Sequence, residues 1–408
     1  MSLPPLIFRY VFREILTPFW ITLFVFTGIL FLGRSLKLVD LVVNRNVPAS
    51  DMIILFSYIV PRFLEIALPM SLLLAVIVAF GRLSHDSELI VIRATGMSLK
   101  RLAVPVLLFS ATVFAIAVLL SFWIRPWANH RLGVGMFEIA KTQASAGLVA
   151  GVFNEFGQLT IYAEGIEAHG EKLNNVIIGD RRDPEVNRIF IAQHGKILSD
   201  PWRRSLSLQL YDGSIAEGRG SNFTVTYFEI NNISLPHSAL LEERPAQGGK
   251  RASEMYVGEL VSGINSLAGA TERLDKEQRR ELAKHQVELH KRLALPFSCL
   301  CVAVIAMALG IQPARGSQAS SASASVGLGI GLILLYYFMF AVADAIGEQG
   351  IVPAWLAMWT PNGLFALLGL YLFERMGSEQ WMAVSQALAD TLGRLPAKLR
   401  LSSQRQTA

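Results

Sequence analysis

The side chains able to do chemistry in this sequence are neither nucleophiles nor metal ligands but charges standing at the ends of long apolar runs. One compact group is Arg82 to Arg101, RLSHDSELIVIRATGMSLKR, which follows the uncharged stretch Ile66 to Gly81 and precedes another, Leu102 to Ile124, of 23 residues. A run of that length suffices for a helix across about 30 Å of hydrocarbon, so the island reads as a loop at a membrane surface. Within it Ser84 can cap a helix, Asp86 and Glu88 suit a helix N-terminus, and Gly96 suits a stop. The spacing predicts a short helix over 84–96. Its Leu89, Ile90, Val91 and Ile92 are more apolar than a solvated loop needs, and Arg93 follows them. Either one face packs against its own bundle or a partner, or the segment is a connector lying on the bilayer. A second group is basic. Arg34 and Lys37, three apart, share a helix face at the end of the first apolar run, and Arg62 stands near the start of the second. Such clustering suits an anionic ligand, whereas single basic residues at a span end merely snorkel.

Other chemistry lacks a motif. The sequence contains no G-x-x-x-x-G-K-[ST], no H-E-x-x-H and no G-x-S-x-G, which leaves P-loop ATP hydrolysis, zinc proteolysis and serine hydrolysis without support. His285 and His290 are five apart rather than the four that puts two ligands on one helix face, so no metal and no cofactor is expected. Cys299 and Cys301, two apart in an apolar run, point roughly 200° apart on a helix and cannot bridge. The middles of the apolar runs read as free of Asp, Glu, Lys and Arg, which counts against an ion-coupled transporter.

The elements that must hold these charges are membrane spans. The chain has 408 residues, 52% hydrophobic and 17% charged, outside the range of a soluble domain. Its net charge of +5 follows from the excess of basic residues expected on one side of a membrane protein, so no nucleic-acid partner is inferred. Six runs emerge, at 15–36, 58–81, 102–124, 293–314, 324–343 and 351–373. Arg9 and Arg13 before the first imitate a signal peptide, but the run is longer than a signal core and no A-x-A-like site follows, so it reads as an uncleaved span. Pro61, Arg62 and Glu65 place the start of the second run near an interface. Twelve basic residues fall on the side of the termini and of Arg82–Arg101, against Arg34, Lys37 and Arg45 on the other, which makes the first side cytoplasmic. Between spans three and four the pattern becomes short alternating segments such as QLTIYAEG, NNVIIGD, RIFIAQHG, SLSLQLYDGS and NFTVTYFEI, bounded by turn residues. These predict an antiparallel all-β domain with Leu206, Leu208 and Leu210 on one face; alternation does not separate a filled core from an open interior. After a polar linker, residues 253–292 read as helical and lead into span four. Small residues, Gly327, Gly329 and Gly331 among them, open span five and suit close helix packing.

Several stretches together resemble one family. RYVFREI at Arg9, ALPMSLLLA at Ala67, SELIVIRATGMS at Ser87, ELHKRLALPFSCL at Glu288, and GEQGIVPAW with WTPNGLFALLGLYL near the C-terminus are similar to the LptF/LptG permeases of the lipopolysaccharide exporter, over about residues 5 to 375, with RYVFRE and Asp-Ser-Glu nearer the LptF branch. The resemblance implies a membrane α-helical bundle of six spans with an inserted periplasmic all-β, jellyroll-like domain. Spans one to three would occupy 1–124, the β domain 125–252, a periplasmic helical connector 253–292, spans four to six 293–375, and a cytoplasmic tail 376–408. It implies an inner-membrane permease subunit, not an enzyme, that works with an LptG-like permease, an LptB-like ATPase dimer and an LptC-like single-span protein on lipopolysaccharide. The segment 84–96 becomes the coupling helix, with Asp86, Glu88, Leu89, Ile92 and Arg93 at the ATPase. Arg34, Lys37 and Arg62 become contacts to the phosphorylated headgroup, and Ile161, Ile189, Leu206, Leu208 and Leu210 the acyl-chain path of the β domain. One departure from the family pattern is the basic cluster after span four, reduced here to Arg315. The readings from other classes are a stand-alone secondary transporter and a lipid-binding membrane scaffold.

Overall fold

The computed structural model describes residues 4–45, 49–146, 149–156, 158–167, 172–183, 187–200, 205–219, 222–234, 250–269, 275–311 and 318–375. Arg315 and the tail 376–408 lie outside the described residues. The chain divides into two compact units, one drawn from Met1–Leu36, Ile59–Pro126 and Met255–Ala408, the other from Lys37–Tyr58 and Trp127–Glu254.

The helices are α1 (Pro5–Arg45), α2 (Ala49–His85), α3 (Glu88–Ala94), α4 (Ala103–Leu119), α5 (Arg125–Ala146), α6 (Val257–Ala268), α7 (Lys276–Gly310), α8 (Gln318–Glu348) and α9 (Ala354–Arg375). A π turn, Leu120–Ile124, joins α4 to α5, and the Arg125 amide donates to the carbonyl of Leu120, five residues back. Among the described residues, six stretches are long and apolar enough to cross a membrane: Pro5–Gly33, Ser50–His85, Ala103–Ile139, Lys276–Gly310, Ser325–Glu348 and Ala354–Arg375. They coincide with the six runs but overshoot them at polar ends, because a helix keeps its backbone bonded beyond the hydrocarbon. The charged segment before span four is thus one continuous helix with it, α7.

Among helices in lipid there is no hydrophobic driving force, and close backbone approach and polar links hold the bundle instead. Gly310 on α7 sits so near α2 that a Cβ there would lie 2.7 Å from Cβ of Phe80 and 3.1 Å from the carbonyl oxygen of Ile77. Asn362 on α9 accepts from the Tyr336 hydroxyl of α8 at 3.0 Å and donates to the Ala294 carbonyl of α7 at 2.7 Å, so one buried amide ties three helices. Of the three glycines that open span five, Gly329 packs against Ile77 and Leu73, while Gly327 and Gly331 face open space.

The other unit carries one antiparallel sheet: β1 (Asn154–Phe156), β2 (Leu159–Glu167), β3 (Lys172–Asp180), β4 (Asn187–Asp200), β5 (Ser205–Arg219) and β6 (Asn222–Ser234), each strand pairing with its sequence neighbours. The sheet is therefore an up-and-down meander, and it folds along a line. Across four successive ladders the opposed residues Glu164, Asn175, Gln193, Asp212 and Glu229 drop out of pairing at one level. Asn175 and Asp212 take left-handed backbone there, with φ of 48° and 52°. Each strand uses an extra residue at this crease, so its inward positions change phase: Leu173 and Val176 on β3, Ala192 and Gly195 on β4, all face the same side. Gly213 is obligatory beside it, since a Cβ would stand 2.3 Å from the Ile191 carbonyl oxygen. The inner face packs Leu159, Ile161, Leu173, Val176, Leu208 and Leu210 with Phe137 of α5. Arg182, just past β3, closes the curl: its guanidinium binds Asp180 at 2.6 Å and reaches the Ser234 carbonyl at the end of β6, three strands away, at 3.1 Å.

Candidate functional site

The island between spans two and three does form a helix, shorter and later than the spacing predicts. Ser84 is not its cap: α2 continues through His85, and Ser84 is buried with its hydroxyl toward the Gly310 carbonyl at 3.4 Å. The chain turns instead at Ser87, where φ is 59°, and α3 runs from Glu88 for seven residues until Gly96, where φ is 83°. Leu89 is 5% exposed in the bundle core and Ile92 packs against that core. These two residues, expected to meet a partner, instead root α3 in its own bundle. The side chains left exposed are Ile90, 48% exposed, and Val91, 64% exposed, together with Asp86 and Arg93. Glu88 is fixed from α1, accepting from the Tyr10 hydroxyl at 2.7 Å, and Arg82 pairs with Glu14 of α1 at 2.6 Å. The His85 ring stands 3.1 Å from Asp86. The arrangement is a rigid apolar tooth ringed by charges, suited to docking rather than to bond-making.

At the other end of span one, the side chains of Arg34 and Lys37 lie outside the described residues, although their backbones continue α1. Arg62 is exposed on α2. In the sheet, Ile161, Leu208 and Leu210 lie on the buried inner face, while Ile189 is 42% exposed on the outer one. The assignment of Ile189 to the interior is corrected because RIFIAQHG is apolar in both phases, and Phe190 and Ala192 are the residues that turn inward. Leu206 pairs with Ser199 in β5, and its side chain lies outside the described residues.

A feature the sequence reading missed lies within the spans. Arg125 donates to both oxygens of Glu65 at 3.3 and 3.2 Å and to Glu288 at 2.5 Å. Arg292, with 0% exposure, contacts the same Glu288 oxygen at 3.4 Å and donates to the Met255 carbonyl at 2.5 Å. Lys291 pairs with Asp344 nearby. Two carboxylates and two guanidiniums from α2, α5 and α7 thus form a balanced buried network where none was expected. The visible signal was Glu288 and Arg292 at helical spacing; the partner Arg125 is 163 positions away. Removing water leaves these charges dependent on one another, because an unpaired ion in low dielectric is several kcal/mol worse than a paired one. Among the described residues no group of three His, Cys, Asp or Glu is placed to hold a metal ion. Cys299 and Cys301 are free and buried.

Six apolar helices among the described residues, with exposed aliphatic and aromatic surface on α1, α8 and α9 and buried charges paired with one another, define a multi-pass membrane protein. The family model of the lipopolysaccharide export system permease LptF/LptG matches residues 9–375, and the chain belongs to that family. It is 26% identical over 245 residues to the lipopolysaccharide export system permease protein LptF of Escherichia coli (strain K12), covering 58% of this chain and 65% of that one. It is 24% identical over 261 residues to an uncharacterized protein of Rickettsia prowazekii (strain Madrid E), covering 64% of this chain and 71% of that protein.

Proposed function

We propose that this chain is the LptF-type half of an inner-membrane permease that, with an LptG-like partner, lifts lipopolysaccharide out of the membrane and passes it to an LptC-like single-span protein, the work being done by an LptB-like ATPase dimer seated on α3. The observation that carries the reading is α3 itself. On a surface helix rooted by Leu89 and Ile92, Ile90 and Val91 are left exposed on the side away from the bundle, and a partner groove would cover them. In this arrangement both termini and α3 are cytoplasmic and the sheet is periplasmic. Asp86, Glu88 and Arg93 steer the docking, and Arg34, Lys37 and Arg62 meet the lipid phosphates. Ile161, Leu206, Leu208 and Leu210 lie along the acyl path of the sheet, whose inner side chains must part to admit a chain.

Co-expression with an ATPase subunit tests the reading. The native chain should co-elute with it, and the Ile90→Asp/Val91→Asp variant should not. One observation favours a competing reading: buried charges within spans are the usual furniture of ion-coupled transporters, and Glu65, Arg125, Glu288 and Arg292 provide them. Substrate movement by the purified chain alone, driven by an ion gradient and indifferent to Ile90→Asp, would establish that alternative instead.

A further inference from the structure

A groove of about 650 Å³ opens where the polar half of α7 passes the α8–α9 connection. One wall is α7, contributing Lys276, Arg279 and Arg280; the other is the turn from Gly347 to Ala354. Positions 276, 279 and 280 share a helix face, so three cations border one concavity. No carboxylate is among the described residues that line it; Glu277 and Glu281 of α7 are not lining residues, nor is Glu348, which lies within the wall turn. The remaining polar lining groups are the neutral amides Gln286 and Gln349, and the floor is apolar, with Leu282, Ala283 and Val352. The wall turn is held in shape by its own backbone bonds, Gly350 to Gly347 at 3.0 Å and Ile351 to Ile346 at 3.3 Å, with Gly350 at φ 73°.

The position of the groove narrows what it suits. It lies where α8 ends at Glu348 and α9 begins at Ala354, at the ends of two helices apolar enough to span a membrane, the level at which a span meets the headgroups. Ile351 and Trp355 are largely exposed there, apolar side chains at headgroup depth. Two guanidiniums and an ammonium above apolar surface match a phosphodiester with attached acyl chains, since guanidinium forks bind phosphate oxygens in pairs and their hydrogen bonds strengthen away from bulk water. We propose that this groove seats the headgroup of an anionic membrane phospholipid, with Arg279 and Arg280 on the phosphate and Lys276 at the rim. The inference rests on the membrane location of the chain and not on its cargo or its ATPase, so it stands or falls apart from the export reading.

The test uses the full chain in detergent, with phosphatidylglycerol and phosphatidylcholine as probes in native mass spectrometry and a photoactivatable phosphatidylglycerol for mapping. Phosphatidylglycerol should bind in preference to phosphatidylcholine, and the photoprobe should label residues 347–354. Arg279→Gln/Arg280→Gln should weaken phosphatidylglycerol at least about tenfold, as expected for loss of a charge-assisted hydrogen bond, while Arg279→Lys/Arg280→Lys keeps most of the binding and both variants stay monodisperse. Equal binding of the two lipids, labelling elsewhere, or full affinity in the glutamine variant would overturn the proposal. Displacement of the lipid by millimolar inorganic phosphate would overturn the lipid source and leave a plain anion site.

Discussion

Charges decide the behaviour of single residues in this molecule. Arg125→Met strands Glu65 and leaves Glu288 with only the longer hydrogen bond from Arg292, and it should cost about 3–5 kcal/mol in thermal or denaturant unfolding of the purified protein. Adding Glu65→Gln should recover part of the loss, because the orphaned charge is then gone; no recovery would mean that packing, not charge, carries the effect. Asp180 behaves differently because it lies outside the spans. The hydrogen bonds from Arg182 hold its carboxyl below the usual carboxylate range, against the opposing effect of burial. A folded-state pKa below the unfolded one gives stability that is present above about pH 4 and lost as pH falls through the depressed value. The native sheet should therefore loosen in acid, as read by circular dichroism, and Asp180→Asn should lack that acid-dependent component. Little of this network was legible beforehand. Arg62 and Glu65 read together as an interfacial pair after Pro61, and Glu288 and Arg292 read as part of the helix that leads into span four, since a lone sequence shows helical spacing but not a partner on another span.

At the scale of elements, the sequence specifies helix and strand more firmly than it specifies which face each turns inward. The apolar quartet Leu89–Ile92 announced a packed helix without saying what each residue meets; the structure divides it into roots and tooth. Leu89→Ala should destabilise the bundle by about 2–5 kcal/mol as a core truncation, whereas Val91→Ala should leave thermal stability unchanged within about 0.5 kcal/mol and act on ATPase co-elution alone. A matching loss of stability in both would dissolve that division. The sheet shows the same limit. Period-two reading holds within each half strand and fails across the crease, where one extra residue per strand inverts the phase, so Ile189 and Ile191 face out while Gly195 and Ile197 of the same strand face in. Gly213→Ala should disrupt that line and lower the folded fraction of the sheet, measured by proteolysis, while Gly331→Ala, in open space, should not.

For the molecule as a whole, six spans put α3 and the α8–α9 connection on opposite sides of the bilayer, whichever side is cytoplasmic. The buried native thiols Cys299 and Cys301 make the chain a silent background for labelling. Arg93→Cys and Gln349→Cys should then react with a membrane-impermeant reagent from opposite faces of sealed vesicles. Reaction of both from one face would remove a span from the count. This level of organisation was the most legible of all, because hydrocarbon thickness imposes a length that any apolar run either meets or does not.

Span three carries one more lesson, in its winding. An α-helix advances about 100° per residue, so the surplus residue in the turn Leu120–Ile124 resets the compass bearing of everything after it. With that offset Arg125 points at Glu65 and Glu288; without it the guanidinium would swing by more than a quarter turn, away from both. Deleting one residue between Leu120 and Ile124 would let the turn close as ordinary α-helix and keep Arg125 on its bearing, whereas α winding with all five residues retained would misdirect a cation inside a membrane protein, a difference of angle rather than of composition.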